Sequence, residues 1–221
     1  MTAPIWVTLA LTLKVALWAT AINTVFGVAV GWLLARHRFI GRDAVSAVLT
    51  LPLVLPPTVV GYYLLVVIGR RGWLGQWLHD SLGINLIFTW QGAVIAAAIV
   101  SLPLIYKAAR AAFEDVDGRF AHAARTLGAG ELEIFLRVSL PLAVRGIAAG
   151  LMLAFARAMG EFGATLMIAG NLPGKTQTLS IAVYDAVQAG NDALALWLTL
   201  VISLVCMAVL IASSRLLQAR H

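Results

Sequence analysis

The residues whose types and spacing are most specific lie between positions 122 and 141. His122-Ala123-Ala124 is followed by Gly128 and then by Val138-Ser139-Leu140-Pro141. The stretch carries charged residues of both signs, two arginines and two glutamates, and it joins two strongly apolar segments. A polar helix–turn–helix in this position is poorly suited to anchoring a chain in lipid. The pattern therefore predicts a docking element through which a membrane protein receives force from a soluble partner.

Residue patterns that carry catalysis are missing from the sequence. No cluster of Cys, His and acidic residues has metal-ligand spacing, and no nucleophile–base set or phosphate-binding glycine loop occurs. All four histidines fall in predicted loops or at the terminus, which disfavours a haem-binding helix bundle. We therefore expect no catalytic residue, no metal and no ATP hydrolysis by this chain.

The composition indicates a protein that lies in a membrane. Of the 221 residues, 61% are hydrophobic and 12% are charged. Soluble domains have about 45–50% apolar and about 25% charged residues. A soluble core cannot bury so large a share of apolar side chains, so the chain is predicted to be embedded in lipid. The single cysteine, Cys206, excludes an intrachain disulfide.

Five apolar segments are each long enough to cross a bilayer as a helix, which takes about 20 residues. The sequence thus predicts an all-α integral membrane protein with one transmembrane domain over residues 1–221. The segments cover approximately 5–34, 45–68, 86–105, 142–170 and 193–212.

Two kinds of residue shape these spans. Pro56 and Pro57 should bend or break the second span, either at a transport pathway or as a simple packing kink. Glycines four apart, in 27–31 and 146–150, predict close helix contacts, although chance explains either pair as well. Lys14 lies inside the first span, where its long side chain could reach the outer interface.

The basic residues predict the orientation of the chain. Basic residues concentrate in cytoplasmic loops, and eleven of the 16 fall on one side of the predicted spans, with three on the other. The N-terminus should therefore lie outside and the C-terminus inside a cytoplasmic membrane. Clusters of basic and aromatic residues are lacking, so nucleic acid is not expected as a partner. The eleven are Arg36, Arg38, Arg42, Lys107, Arg110, Arg119, Arg125, Arg137, Arg145, Arg215 and Arg220.

The inner loop, residues 112–141, carries its own helix signals. Asp117 can cap a helix over residues 118–127, and Gly128 can end that helix in the left-handed conformation. A second short helix over 131–138 should be closed by Pro141. An interfacial amphipathic helix is the alternative interpretation of this loop. The candidate docking residues are Asp117, Arg119, Phe120, His122, Ala123, Ala124, Arg125, Leu127, Gly128 and Pro141.

The inner loop resembles that of the importer permeases of ATP-binding cassette transporters, which carry the pattern E-A-A-x3-G-x9-I-x-L-P. Ala123, Ala124, Gly128, Leu140 and Pro141 match it in register. His122 stands at the glutamate and Val138 at the isoleucine, so a fixed negative charge is lost. Residues 51–61, 88–90, 101–104 and 156–179 are similar to the corresponding stretches of molybdate permeases. Sulfate and tungstate permeases resemble the last of these stretches but usually differ around residues 163–167.

This resemblance implies a molybdate permease that works by alternating access. Its partners would be membrane lipid, a second copy of the chain, two ATPase subunits that hold ATP and Mg²⁺, and an extracytoplasmic molybdate-binding protein. No cofactor would be bound by this chain. A sulfate or tungstate permease is the alternative, and a non-transporting membrane anchor is a second one.

The fourth span holds charged and polar residues that a transport pathway could use. Arg157 and Glu161 are four apart, so they are predicted to pair and to brace the span, since an unpaired charge at that depth is costly. Thr176 is a further neutral donor suited to an oxyanion, although ordinary packing explains each of these residues equally well. The candidate pathway or hinge residues are Pro56, Pro57, Gly160, Glu161, Gly163, Thr165 and Asn171.

Overall fold

The computed structural model describes residues 4–218, and this part of the chain is built from helices and loops without strands. Arg220, which the sequence assigned to the inner side, lies outside these residues. The helices are α1 (Ile5–Arg36), α2 (Arg42–Val54), α3 (Pro57–Ile68), α4 (Trp73–Leu82), α5 (Trp90–Glu114), α6 (Gly118–Thr126), α7 (Glu131–Ile134), α8 (Leu140–Met159), α9 (Gly163–Ala169), α10 (Leu179–Gln188) and α11 (Asp192–Gln218).

The prediction of an all-α fold with about five spans is confirmed. Within the described residues, α1, α5, α11 and the continuous helix over Glu131–Met159 are each long and apolar enough to cross a membrane. A fifth candidate is the pair α2 and α3, whose axes differ by 115°. Pro56 is extended and Pro57 begins α3, so the predicted break is observed at these two prolines. Neither ring nitrogen can donate a hydrogen bond, and the helix ladder is interrupted there.

The core is organised around α5, which α1 and α8 contact closely. A methyl group added at Gly31 would lie 2.8 Å from Cβ of Ala109, and one added at Gly150 would lie 2.4 Å from Cβ of Ala108. Gly27 and Gly146 make equally close approaches to α5. Both glycine pairs therefore mark real helix contacts, because only residues without a side chain let these backbones approach so closely.

A side chain at Gly150 should destabilise this packing. We expect Gly150→Val to lower the free energy of unfolding by about 1–3 kcal/mol, the usual cost of overfilling a well-packed contact. Thermal unfolding of the purified chain in detergent measures the change. Gly130→Ala is the matched control, because Gly130 has open space around it and an ordinary backbone angle. Equal unfolding temperatures for the two variants would contradict the assignment.

The fourth apolar segment is not one helix, which corrects the prediction of a single span over 142–170. Helix α8 ends at Met159, and α9 begins only at Gly163. The N–H groups of Gly160 and Glu161 bond to the last turn of α8, while the Glu161 carboxylate accepts the N–H of Ala164. A side chain that caps the second helix thus competes with continuation of the first.

The prediction that Pro141 closes a short helix is also wrong. Helix α7 continues through a π-helical turn, Phe135–Ser139, directly into α8. The N–H of Leu140 bonds to the carbonyl of Phe135, so the widened turn carries the ladder past the proline. Pro141 lies in the first turn of α8, where a proline is tolerated.

The third span and two short helices extend the fold beyond the apolar segments. Helix α5 runs on to Glu114, and the ion pair between Arg110 and Glu114 at 2.9 Å supports its last turn. Helices α4 and α10 were not predicted, because they are too short and too mixed in polarity to be recognised as membrane spans. Lys14 directs its ammonium group over the ring of Trp90, 3.6 Å from the centroid, in a cation–π contact.

Candidate functional site

Helix α6 has the boundaries that its capping residues predict, give or take one residue. The Asp117 carboxylate accepts the backbone N–H of Arg119 at 2.9 Å, and Gly128 adopts the left-handed conformation just beyond the helix. The side chain of Arg119, and after it the backbone N–H, holds the pKa of Asp117 below its ordinary value. The Asp117 carboxylate therefore stays ionised at neutral pH. Its contribution to the stability of the fold is present above the pKa of the unfolded chain, and it is lost as the pH falls through the lowered pKa of the folded chain.

One face of α6 is apolar and uncovered in the single chain. Phe120 is 55% exposed and Leu127 is 87% exposed, and Ala123 lies between them on the surface. Ala124 is half-buried beside them and lines a groove of about 340 Å³ between α6 and α7. A short helix that presents adjacent apolar side chains to solvent has the form of a docking surface for another protein. We call this face, formed by Phe120, Ala123, Ala124 and Leu127, the α6 docking face.

His122 and Arg125 lie on the opposite side of α6. Both line an open cavity of about 710 Å³ between α6 and the ends of α1, α2 and α5. Arg125 is bonded to Glu131 at 2.7 Å. The candidate docking residues therefore divide between two surfaces, because successive residues of a helix are 100° apart. We call the end of the molecule that carries α6 the inner end, in keeping with the predicted orientation.

The two helix breaks lie side by side. A methyl group added at Gly163 would lie 3.0 Å from Cβ of Pro57, and one added at Gly61 would lie 2.9 Å from Cα of Ala164. Helices α3 and α9 therefore begin next to each other and pack along their first turns. The sequence proposed these prolines and glycines separately as hinges, and the fold brings them together.

Arg157 and Glu161 form the predicted ion pair. The guanidinium of Arg157 lies 2.8 Å from the Glu161 carboxylate, which is 1% exposed. The other carboxylate oxygen of Glu161 accepts the N–H of Ala164 at 2.9 Å. The pair thus connects α8 to the start of α9 across the break at Gly160. A carboxylate with these two partners is suited to holding the angle between the helices.

The polar residues beyond the break are bonded to one another. The amide nitrogen of Asn171 donates to Asp185 at 3.0 Å, and the amide nitrogen of Gln177 donates to Asn171 at 2.9 Å and to Asp185 at 3.2 Å. Thr165 is buried, and the Thr176 hydroxyl oxygen accepts the N–H of Leu172 at 3.1 Å. This network ties the loop after α9 to α10. Sequence reasoning missed Gln177 and Asp185, since no local spacing indicates their contact with Asn171.

A family model described as the inner membrane component of binding-protein-dependent transport systems matches residues 27–221. The molybdenum transport system permease protein ModB of Escherichia coli (strain K12) is 49% identical over 188 residues, which cover 85% of this chain and 82% of that protein. ModB of Haemophilus influenzae is 43% identical over 80% of this chain and 78% of its own length. The sulfate permease CysW of Synechocystis is 39% identical over 91% of this chain and 75% of its own length.

Solved structures share the fold at lower identity. An inward-facing form of the MetNI methionine ABC transporter contains a chain that is 20% identical and aligns with a TM-score of 0.69, covering 97% of this chain and 93% of that one. A chain of a bacterial alginate ABC transporter, 17% identical, aligns with a TM-score of 0.67 and covers 94% of this chain and 76% of that one. The helix arrangement is therefore that of the permease subunits of such importers.

Proposed function

The chain belongs to the family of inner membrane components of binding-protein-dependent transport systems, and from that premise we propose that it is the channel-forming permease of an ATP-driven molybdate importer. Molybdate is chosen as the cargo because the chain is 43–49% identical in sequence to molybdenum permeases over most of its length. Sulfate permeases are less similar, at 35–39%. The ATPase site then belongs to separate subunits, as is usual for this family.

We propose that the importer contains two copies of this chain, two ATPase subunits that bind ATP and Mg²⁺, and an extracytoplasmic molybdate-binding protein. The uncovered α6 docking face supports an ATPase contact at the inner end. Helix α2 has no buried residue in the single chain, and Val48 and Val54 are 63% and 77% exposed. This apolar surface needs lipid or a second copy to cover it.

The proposed mechanism is alternating access between two packings of the permease dimer. The binding protein delivers the oxyanion to the outer face, and closure of the ATP-bound ATPase subunits draws the two α6 helices together. The adjacent breaks at Pro57 and Gly163 supply the points at which half-helices can change their angle. Each partner shifts the balance only by its different affinity for the two packings. Hydrolysis returns the dimer to the inward-facing packing.

A competition uptake assay tests the proposed cargo. Proteoliposomes that contain the complete importer and its binding protein should accumulate radioactive molybdate when ATP is present. Unlabelled molybdate should compete, whereas sulfate in large excess should leave uptake unchanged. Uptake of sulfate in place of molybdate would favour a sulfate permease.

A pull-down with an ATPase subunit encoded with the importer tests the alternative of a membrane anchor. We expect the full chain in detergent to retain the ATPase through the α6 docking face. Absence of any ATPase partner, together with absence of uptake, would establish the anchor interpretation.

A further inference from the structure

The cavity behind α6 is rich in arginine and lies on the side of α6 opposite the α6 docking face. Its volume of about 710 Å³ falls in the range of roughly 300–1,000 Å³ that ligand sites occupy. Arg36, Arg38, Arg42 and Arg125 line it, together with His122. These side chains come from the end of α1, the loop before α2, the first residue of α2, and α6. We call this space the inner arginine cavity.

The carboxylates around the inner arginine cavity are too few to neutralise its arginines. Glu131 is shared by Arg36 and Arg125. Glu114 is shared by Arg42 at 2.7 Å and Arg110 at 2.9 Å. Each carboxylate thus serves two guanidinium groups and leaves one positive charge in excess.

The third carboxylate at the cavity contributes nothing to this balance. Asp117 is paired with Arg119 at 2.6 Å. The position at which the permease loop pattern carries glutamate holds His122, so no carboxylate enters the cavity from that point of α6 either. The cavity therefore keeps a net positive charge at neutral pH.

Two arginines have donors that the protein does not use. The Nε atom of Arg42 is buried without a hydrogen-bond acceptor, although another nitrogen of the same group is bonded to Glu114. Arg38 makes no ion pair with any acid in residues 4–218 and lines the same cavity. A buried donor without an acceptor is costly, and both of these arginines line the same cavity.

We propose that the inner arginine cavity binds a phosphate-type oxyanion through Arg38 and Arg42. Guanidinium groups bind phosphate oxygens through paired, charge-assisted hydrogen bonds, and an anion with more than one charge matches the excess counted above. The same chemistry is offered by free inorganic phosphate and by the phosphate of an anionic phospholipid. Basic pockets between helices at the inner membrane surface are suited to such headgroups.

The binding test uses the full chain in neutral detergent, without the ATPase, because an ATPase subunit would bind phosphate at its own site. One arm measures binding of inorganic phosphate by titration calorimetry. The other arm offers a mixture of phosphatidylglycerol and phosphatidylcholine and measures the lipid retained by mass spectrometry. We expect saturable binding of one phosphate group per chain in one arm, and the arm that responds identifies the source.

Substitutions of the cavity arginines test whether the anion binds in the inner arginine cavity. Arg38→Gln and Arg42→Gln should each weaken binding by about tenfold or more, as loss of a charge-assisted bond implies. Arg71→Gln, which removes a charge from the loop between α3 and α4, should leave binding unchanged. Arg38 has no ion pair to lose, so its variant keeps the fold and decides the question even if Arg42→Gln unfolds.

Two results would overturn this proposal. One is the absence of saturable binding of both probes to the unmodified chain. The other is binding that Arg38→Gln leaves at the parent affinity. Neither result bears on the cargo, because molybdate uptake is measured separately with the complete importer.

Discussion

Replacing Arg157 with methionine is expected to lower the free energy of unfolding by about 3–5 kcal/mol, the cost of leaving a buried carboxylate without its partner. Glu161 is 1% exposed, so without Arg157 its carboxylate would be buried with no cationic partner. Thermal unfolding of the purified chain in detergent measures the loss. Molybdate uptake by the reconstituted importer should fall with it, because the pair connects α8 to α9.

The double variant Arg157→Met with Glu161→Gln is the control for this prediction. Glutamine keeps an oxygen that can accept the N–H of Ala164, and it removes the charge that needs a partner. The double variant should therefore be more stable than Arg157→Met alone, and the difference measures the coupling between the two residues. Normal stability and normal transport in the single variant would show that the pair does not brace the break.

Replacing Ala123 with tryptophan is expected to uncouple the ATPase while the permease stays folded. Ala123 is on the exposed side of α6 between Phe120 and Leu127, so a large side chain there meets no other part of the chain. It would separate the α6 docking face from its partner. We expect the ATPase activity stimulated by loaded binding protein to fall by about tenfold or more, as weakening of the contact by about 1.4 kcal/mol would lower the affinity of docking tenfold.

Ser81→Trp provides a matched control at an exposed position near the end of α4, far along the chain from α6. This variant should bind the ATPase subunit as strongly as the parent in a pull-down from detergent. Full stimulation in the Ala123 variant would mean that the ATPase docks elsewhere. Loss of folding in that variant, seen as aggregation on size-exclusion chromatography, would contradict the exposure of this face.

The elements that the sequence predicted well depend on local rules. The break at Pro56-Pro57 follows from the missing N–H of proline, and the boundaries of α6 follow from a capping carboxylate and a left-handed glycine. The pairing of Arg157 with Glu161 follows from a spacing of four residues together with the cost of an isolated charge in lipid. Each of these features is decided within a few residues.

The incorrect expectations involve competition between a local signal and distant packing. The apolar run over 142–170 resembles one span, but Glu161 caps a new helix that packs against α3 through Gly163 and Pro57. Pro141 resembles a helix stop, yet a π-helical turn carries the chain past it. Amino-acid composition does not reveal the break before α9 or the continuation past Pro141, because the apolar content is the same in a continuous and in a broken span.

The sequence by itself determined that this chain is a helical membrane protein, which residues begin and end α6, and which family its inner loop resembles. Hydrophobicity, capping and spacing are local properties, and they can be counted along the chain. Only the tertiary structure decided that the two breaks adjoin, that Asn171 is held by Asp185, and that four arginines face one cavity. Such contacts join residues that are far apart in the chain, and they form only when α1, α5 and α8 have packed together.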